Sequence, residues 1–193
     1  MKPIIFCLLS CLTAVLASAN SVFSPIPSNG VVSGSDGAVV GWGFGVTEVN
    51  PNDWLVLTGS SFTGSTLNGS YLDYLSLPTA PLYVAGPAPE SSFVTQSWIE
   101  SSQLGLGEFD IGAVASPGPI DGNIIVHYSV FSQDPNDPNF DPDTDTVIAD
   151  ATFSEPVEID VLATVPEPAV FGLVLAALAV IVWCHRKDRC LPE

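Results

Sequence analysis

The chain has 193 residues, of which 21 are acidic and four are basic, so its net charge at neutral pH is −17. This length accommodates one ordinary domain of about 100–150 residues with accessory segments. All four basic residues lie at the ends, at Lys2, Arg186, Lys187 and Arg189. The region between them is excluded as a binder of nucleic acid, because contacts to the phosphate backbone depend on Lys and Arg.

Three acidic residues lie in the C-terminal tail, which leaves 18 in the central region. That region has no cysteine, because the four cysteines, Cys7, Cys11, Cys184 and Cys190, lie near the two ends of the sequence. An exported domain of this composition has neither disulfides nor salt bridges to Lys or Arg. It must therefore fold by burial of apolar side chains or with a bound metal. Divalent cations, basic proteins and neutral glycans remain open as partners. The plain alternative is that the charge keeps the domain soluble.

The N-terminus has the three parts of a secretory signal peptide. Lys2 is followed by an apolar run at 4–16, and Ala17-Ser18-Ala19 forms a small-x-small cleavage site. We expect signal peptidase to remove residues 1–19 and the remainder to be exported. Ser, Pro and Asn are frequent in residues 20–29, which are predicted to be a linker.

Residues 30–164 are predicted to form an acidic all-β domain. In one segment Trp42, Phe44 and Val46 alternate with glycines, which predicts one aromatic face and one bare face that another segment can approach closely. Further strands are predicted at 53–58, 71–77, 93–99, 124–131 and 157–161, between Gly, Pro, Asn and Ser breakers. No window has the apolar period of a helix. The pattern favours an antiparallel β-sandwich, Ig-like or jelly-roll-like.

The segment 134–145 is the most acidic stretch of the chain. Carboxylates at alternate positions can converge on Ca²⁺, which prefers six to eight oxygen ligands. The candidate ligands are Asp134, Asp137, Asp141, Asp143 and Asp145. The likeness to an EF-hand loop fails downstream, where Thr146 and Thr152 replace the turn glycine and the closing glutamate. The alternative is a solvated turn stiffened by prolines, and no other cofactor is expected.

No enzymatic motif is recognisable, and the chain is predicted not to be an enzyme. His127 is the only histidine before the tail, so a zinc site of the usual kind cannot be built, and no G-x-S-x-G motif accompanies it. An extracellular hydrolase remains an alternative, because glycoside hydrolysis needs only two facing carboxylates.

A second alternative is a glycan-binding module. The aromatic side chains proposed as a sugar-stacking platform are Trp42, Trp54, Trp98, Tyr71, Tyr74, Tyr83 and Tyr128. Aromatic residues in a small β-sandwich also serve as core residues, and this interpretation stays open beside the platform.

Near the C-terminus, residues 169–184 form an uninterrupted apolar run, followed at once by the basic residues Arg186, Lys187 and Arg189. This run is predicted to be one transmembrane helix, at the short edge of the usual length. By the positive-inside rule the basic residues form a cytoplasmic stop, which leaves the β domain facing outside.

The motif Pro166-Glu167-Pro168, the apolar run and the basic cluster together resemble the PEP-CTERM sorting tail of bacterial exported proteins, over roughly residues 165–190. The resemblance implies recognition of the motif by an exosortase-type processing enzyme and cleavage nearby. It also implies a cell-surface or extracellular-matrix protein associated with extracellular polysaccharide. The prolines disfavour helix, so 165–168 is expected to be extended, as a processing enzyme requires.

Overall fold

The computed structural model describes residues 21–87 and 93–163. It contains ten strands, a one-turn helix and a 3₁₀ turn at Glu100–Ser102. The strands are β1 (Val22–Ile26), β2 (Val31–Ser35), β3 (Val39–Thr47), β4 (Trp54–Gly64), β5 (Gly69–Asp73), β6 (Val84–Ala85), β7 (Phe93–Gln96), β8 (Gly107–Ile111), β9 (Gly118–Phe131) and β10 (Thr146–Leu162), and the helix is α1 (Pro142–Asp145). Within these ranges no helix has the length and apolar character needed to cross a membrane. The predicted signal peptide, sorting motif, transmembrane helix and basic stop lie outside the described residues.

The strands form two five-stranded sheets, which confirms the all-β prediction. The first has the order β1-β3-β8-β5, with β7 also paired to β3, and the second has the order β2-β10-β9-β4-β6. All the strand pairs are antiparallel except β2 with β10, so the fold departs from the predicted antiparallel arrangement at that one pair. Gly30, at φ 70°, lies between β1 and β2 and lets the chain pass from one sheet to the other.

A single apolar core lies between the two sheets. Trp42, Phe44 and Val46 of β3 are at most 1% exposed, which confirms the predicted aromatic face. The second sheet contributes buried aliphatic residues from β4, β9 and β10 to the same cluster, among them Leu55 and Ile124. The indole of Trp42 also donates a 2.9 Å hydrogen bond to the carbonyl of Gly30, so its one polar atom is satisfied inside the core.

The glycines of β3 permit close packing on the opposite face of the strand. A Cβ at Gly41 would lie 2.3 Å from the Trp98 indole, and one at Gly43 would lie 2.3 Å from the backbone oxygen of Gln96. At Gly45 the nearest atoms belong to neighbouring side chains at 3.3 Å. The bare face predicted from the sequence is therefore covered by β7 and the residues that follow it.

Several strand boundaries differ from the prediction, most of all those of β1, β9 and β10. Strand β1 lies inside segment 20–29, which was predicted to be a linker, and it pairs with β3 over residues 43–47. Strands β9 and β10 are much longer than predicted and form a hairpin around the acidic segment. Pro156 is tolerated within β10 because β2 begins to pair only at Glu158, so one side of the proline has no partner strand.

The hairpin separates two ends of the domain. At about 3.3 Å per residue the 14 residues of β9 span roughly 43 Å. The end that contains 48–53 and 132–145 is called here the acidic end. The other end, called the tail end, contains the connections 36–38, 65–68 and 112–117 and the end of β10 at Leu162.

Candidate functional site

An open cleft lies where the two sheets approach without pairing. Strand β4 of the second sheet and β5 of the first face each other, and no ladder hydrogen bonds join them. The cleft has a volume of about 580 Å³, within the 300–1,000 Å³ typical of small-ligand sites. Its lining residues are Ser60, Ser61, Phe62, Thr66, Gly69, Ser70, Tyr71 and Asp73. We call it the β4–β5 cleft.

Ser60 links the two strands at the base of the cleft. This side chain is 8% exposed, and its hydroxyl oxygen lies 2.9 Å from the hydroxyl of Tyr71, 2.6 Å from Asp73 Oδ1 and 2.7 Å from the carbonyl of Leu106. A serine has one proton to donate. Tyr71 therefore donates to Ser60, while the carboxylate and the carbonyl compete for the serine proton.

Asp73 and Tyr71 each offer the cleft a polar atom with a definite hydrogen-bonding role. The Asp73 Oδ1 atom also accepts a 2.8 Å hydrogen bond from the backbone amide of Leu75, whereas none of the described residues donates to its Oδ2. That second oxygen is free to accept from a ligand hydroxyl. Burial raises the pKa of the Tyr71 phenol above its ordinary value, so the phenol remains a neutral donor at physiological pH.

Aromatic rings extend from the core into the cleft. Phe62 lies stacked near Trp42, with ring centroids 6.3 Å apart, and makes an edge contact with Phe109 at 5.4 Å. Phe62 and Tyr71 lie 6.4 Å apart at a tilt of 32°. Because the core fixes Phe62 from behind, its ring is a rigid apolar surface beside the hydroxyl groups.

This arrangement suits a neutral ligand with several hydroxyl groups. Five of the lining side chains carry a hydroxyl, one carries a carboxylate and two present aromatic rings. No basic residue lines the cleft, so anionic ligands are disfavoured by the carboxylate. Asp73 is the single carboxylate in the lining, and the paired carboxylates of a glycoside hydrolase are therefore not arranged there.

A second polar cluster lies at the acidic end and centres on Glu48, which is 1% exposed. Its carboxylate accepts 2.7 Å and 2.8 Å hydrogen bonds from the hydroxyl of Ser21 and the amide of Asn50. Asn50 in turn donates to Asp53, whose pKa is raised by its burial and by the nearby Glu48. Both donors that Glu48 has among the described residues are neutral.

The five candidate calcium ligands are not brought together. Asp134 and Asp137 accept hydrogen bonds from the backbone amides of Asn136 and Asn139, and Asp141 caps α1 by accepting from the amide of Asp143. Across residues 21–87 and 93–163 no group of three acidic, histidine or cysteine side chains could hold a metal ion. The carboxylates in this loop bind its own backbone, as in the solvated-turn alternative.

His127 lies at the rim, not in a catalytic arrangement. Its side chain is 40% exposed, and its Nδ1 lies 3.1 Å from a carboxylate oxygen of Asp150, which is 82% exposed. Asp150 has φ 50° and lies at a register shift in β10. The hydrogen bonds of Ser60 go to Tyr71, Asp73 and Leu106 and not to this pair, so no Ser-His-Asp arrangement forms around Ser60 in the described residues.

The predicted aromatic platform does not form. Trp42, Tyr74 and Tyr83 are 0%, 1% and 9% exposed, and belong to the core. Tyr128 stacks on Phe153 at 4.2 Å, partly buried against that core. Of the seven predicted aromatics only Tyr71 lines the cleft.

Sequence reasoning missed Ser60 and Asp73 as candidate site residues. In strand β4 Leu55 and Leu57 point into the core, and strict alternation would place Ser61 inside. A bulge between Leu57 and Gly59 shifts the alternation and turns Ser60 inward instead. Gly59 within a strand was the available signal for that bulge.

No protein-family model matches this chain, and no curated protein matches its sequence. Among solved structures it is similar to AggA, the major subunit of aggregative adherence fimbriae type I from Escherichia coli, with a TM-score of 0.38 and 11% identity over 74% of this chain and 95% of that chain. A family 123 glycoside hydrolase from Clostridium perfringens gives a TM-score of 0.32 and 14% identity over 76% of this chain and 28% of that one. The seventh ScaB type I cohesin from Pseudobacteroides cellulosolvens gives a TM-score of 0.28 and 14% identity, over 76% of this chain and 96% of that one. At these TM-scores the similarities carry no argument about fold or function.

Proposed function

We propose that this chain is an exported cell-surface or extracellular-matrix protein that acts by binding, and that its ligand site is the β4–β5 cleft. The observation that supports a binding role is the lining of the cleft by hydroxyl groups and two aromatic rings beside a single carboxylate. A site of this composition supplies orientation and apolar contact, but it lacks the second carboxylate or the general base that hydrolysis requires.

The ligand class that fits is a neutral glycan. Sugar rings present apolar C–H faces, which pack on aromatic rings such as Phe62 and Tyr71. Their hydroxyl groups both donate and accept, which matches the unpaired Oδ2 of Asp73 and the phenol of Tyr71. Strand β5 ends its sheet, and β6 pairs only with Leu55 and Val56 of β4, so the strand edges beside the cleft are open.

The test is titration of the soluble domain, residues 20–164, with neutral polysaccharide fragments and with a uronic-acid polymer as the anionic comparison. Asp73→Asn is expected to weaken binding of the neutral fragments about tenfold, because loss of one hydrogen bond to a charged group is worth about 1.5 kcal/mol or more. Phe62→Ala is expected to weaken binding by a similar factor, because it removes the aromatic surface on which a sugar ring would pack. Thr58→Ala is the matched control, since Thr58 is exposed on the same strand and does not line the cleft. Equal weakening by the control, or preferential binding of the anionic polymer, would contradict the proposal.

Export and sorting are assigned to the ends of the chain. Residues 1–19 are proposed to direct secretion, 169–184 to hold the chain in the membrane, and Pro166, Glu167 and Pro168 to be recognised by an exosortase-type enzyme. The support is the order of motif, apolar run and basic residues in the sequence. These segments lie outside the described residues, and replacement of the motif by alanines in the native host is the direct test.

A further inference from the structure

The tail end of the domain carries two almost fully exposed aliphatic side chains. Leu67 is 93% exposed and Val114 is 95% exposed, whereas the next most exposed large apolar side chain in the described residues is Phe93 at 63%. A single exposed apolar residue is common on protein surfaces, so what matters here is where these two lie.

The two residues lie on neighbouring loops, at the point where the chain leaves the domain. The backbone amide of Gly112 donates a 2.7 Å hydrogen bond to the carbonyl of Asn68, which joins the loop of Val114 to the loop of Leu67. Gly37 of the 36–38 turn donates to the carbonyl of Ile111 at 3.1 Å. Leu162, the last residue of β10, pairs with the β2 residue directly before that same turn.

The tail end also differs from the rest of the domain in charge. The loops 65–68 and 112–117 contain no charged residue, and Asp36 is the one charged residue in the three connections there. The acidic end, by contrast, carries five aspartates in 134–145. The two loops that carry Leu67 and Val114 are therefore uncharged, although Asp110, Asp121 and Asp160 lie in the adjoining strand ends.

The tail leaves little distance between the domain and the predicted membrane span. Six residues, 163–168, separate the end of β10 from the predicted span at 169–184. A fully extended chain covers at most about 3.3–3.6 Å per residue, so the seven steps from Leu162 to residue 169 would place Leu162 within roughly 25 Å of the bilayer boundary.

We propose that the tail end is a membrane-docking surface, on which Leu67 and Val114 enter the interfacial layer of the same bilayer that the tail spans. This inference rests on the proposed membrane span. The occupant is a lipid surface because the short connection holds these two side chains beside the bilayer, and because uncharged loops lose little hydration when they enter its interface. In that orientation the acidic end projects outward by the length of the β9–β10 hairpin.

The experiment uses the chain without its signal peptide, residues 20–193, reconstituted in protein-free vesicles of phosphatidylcholine. Cys184 and Cys190 are replaced by serine, which leaves no native cysteine in this region. Single cysteines are then introduced by Leu67→Cys, Val114→Cys and, at the acidic end, Val147→Cys. Val147 is 53% exposed and is the matched control.

Each cysteine carries an environment-sensitive fluorophore, and the vesicles contain lipids brominated near the headgroup as quenchers. The labels at 67 and 114 are expected to shift their emission to shorter wavelength and to lose most of their intensity. The label at 147 is expected to keep the emission of a solvent-exposed dye. Equal emission at all three positions, in a chain that floats with the vesicles, would overturn the docking surface and leave the anchor intact.

Two other outcomes are informative. A chain that does not float with the vesicles refutes the proposed span, and the docking surface with it. Shielding of positions 67 and 114 in native membranes, but not in protein-free vesicles, would show that the tail end binds a membrane protein and would refute the lipid assignment.

Discussion

The packing of β7 on the glycine face of β3 makes Gly43→Ala a sharp test of the fold. A Cβ at Gly43 would lie 2.3 Å from the backbone oxygen of Gln96 and 2.8 Å from the Cα of Ser97, both shorter than the 3.4 Å at which ordinary contacts begin. These atoms belong to the backbone, so no side-chain rotation relieves the clash. Strand β7 must therefore move away from β3 by about 1 Å, or its pairing with β3 must break.

Overpacking of this kind costs about 2 kcal/mol, which for a domain of this size lowers Tm by roughly 8 °C. Thermal unfolding followed by circular dichroism measures the change, and hydrogen exchange of the β7 amides locates it. Gly59→Ala is the control, since the nearest atom to its Cβ, the Oδ2 of Asp73, lies at 3.4 Å. That control is expected to stay within about 0.5 kcal/mol of the wild type. If Gly43→Ala were no less stable than Gly59→Ala, the placement of β7 would be wrong.

Three further predictions follow from the charges. Asp121→Lys is expected to stabilise the domain by about 0.5 kcal/mol, because Asp121 faces Glu158 directly across β9 and β10; urea unfolding tests it, and a loss of stability would contradict it. Glu48→Gln is expected to lower the pKa of Asp53, because it removes a nearby negative charge. The pKa of Asp53 should still stay above its ordinary value, since burial is the larger cause of the shift, and an unchanged pKa in a carboxyl NMR titration would refute this. Millimolar Ca²⁺ is expected to leave Tm unchanged, since the carboxylates of 134–145 do not converge; a rise reversed by chelator would restore the calcium site.

The raised pKa of Asp53 also fixes the sign of a pH dependence. The folded domain binds this proton more tightly than the unfolded chain does. The contribution of Asp53 to stability is therefore present below its ordinary pKa and is lost as the pH rises through the folded pKa. Asp53→Asn should remove that part of the pH dependence from the unfolding free energy.

Much of the fold could be predicted because local patterns agree with the tertiary structure. The alternation of Trp42, Phe44 and Val46 with glycine predicted both a buried face and a closely covered one, and the structure has both. Strand β1 was missed because its pairing with β3 is a long-range contact, while its own composition, rich in Ser and Pro, is typical of a loop. The parallel pairing of β2 with β10 likewise has no local signal.

The candidate site was harder to predict than the fold. Its residues come from two strands of different sheets, and Ser60 faces inward only because of the bulge before it. The seven aromatic residues predicted a sugar-stacking platform, but only Tyr71 lines the cleft, since large aromatic side chains in a two-sheet protein are usually core residues. The acidic segment left two interpretations open, because Asp next to Asn and Pro caps turns as readily as it binds calcium, and in the structure Asp134 and Asp137 accept from backbone amides of their own loop.

The central claim, that this is an exported protein sorted through its C-terminal tail, is tested most directly by the intact mass and location of the protein in its native host. The comparison is between the wild type and a variant in which Pro166, Glu167 and Pro168 are replaced by alanine. We expect the wild type to lack the predicted span 169–184 and to leave the membrane fraction, while the variant stays full length and anchored. If both remain full length in the membrane, the tail is a permanent anchor and the sorting proposal is wrong.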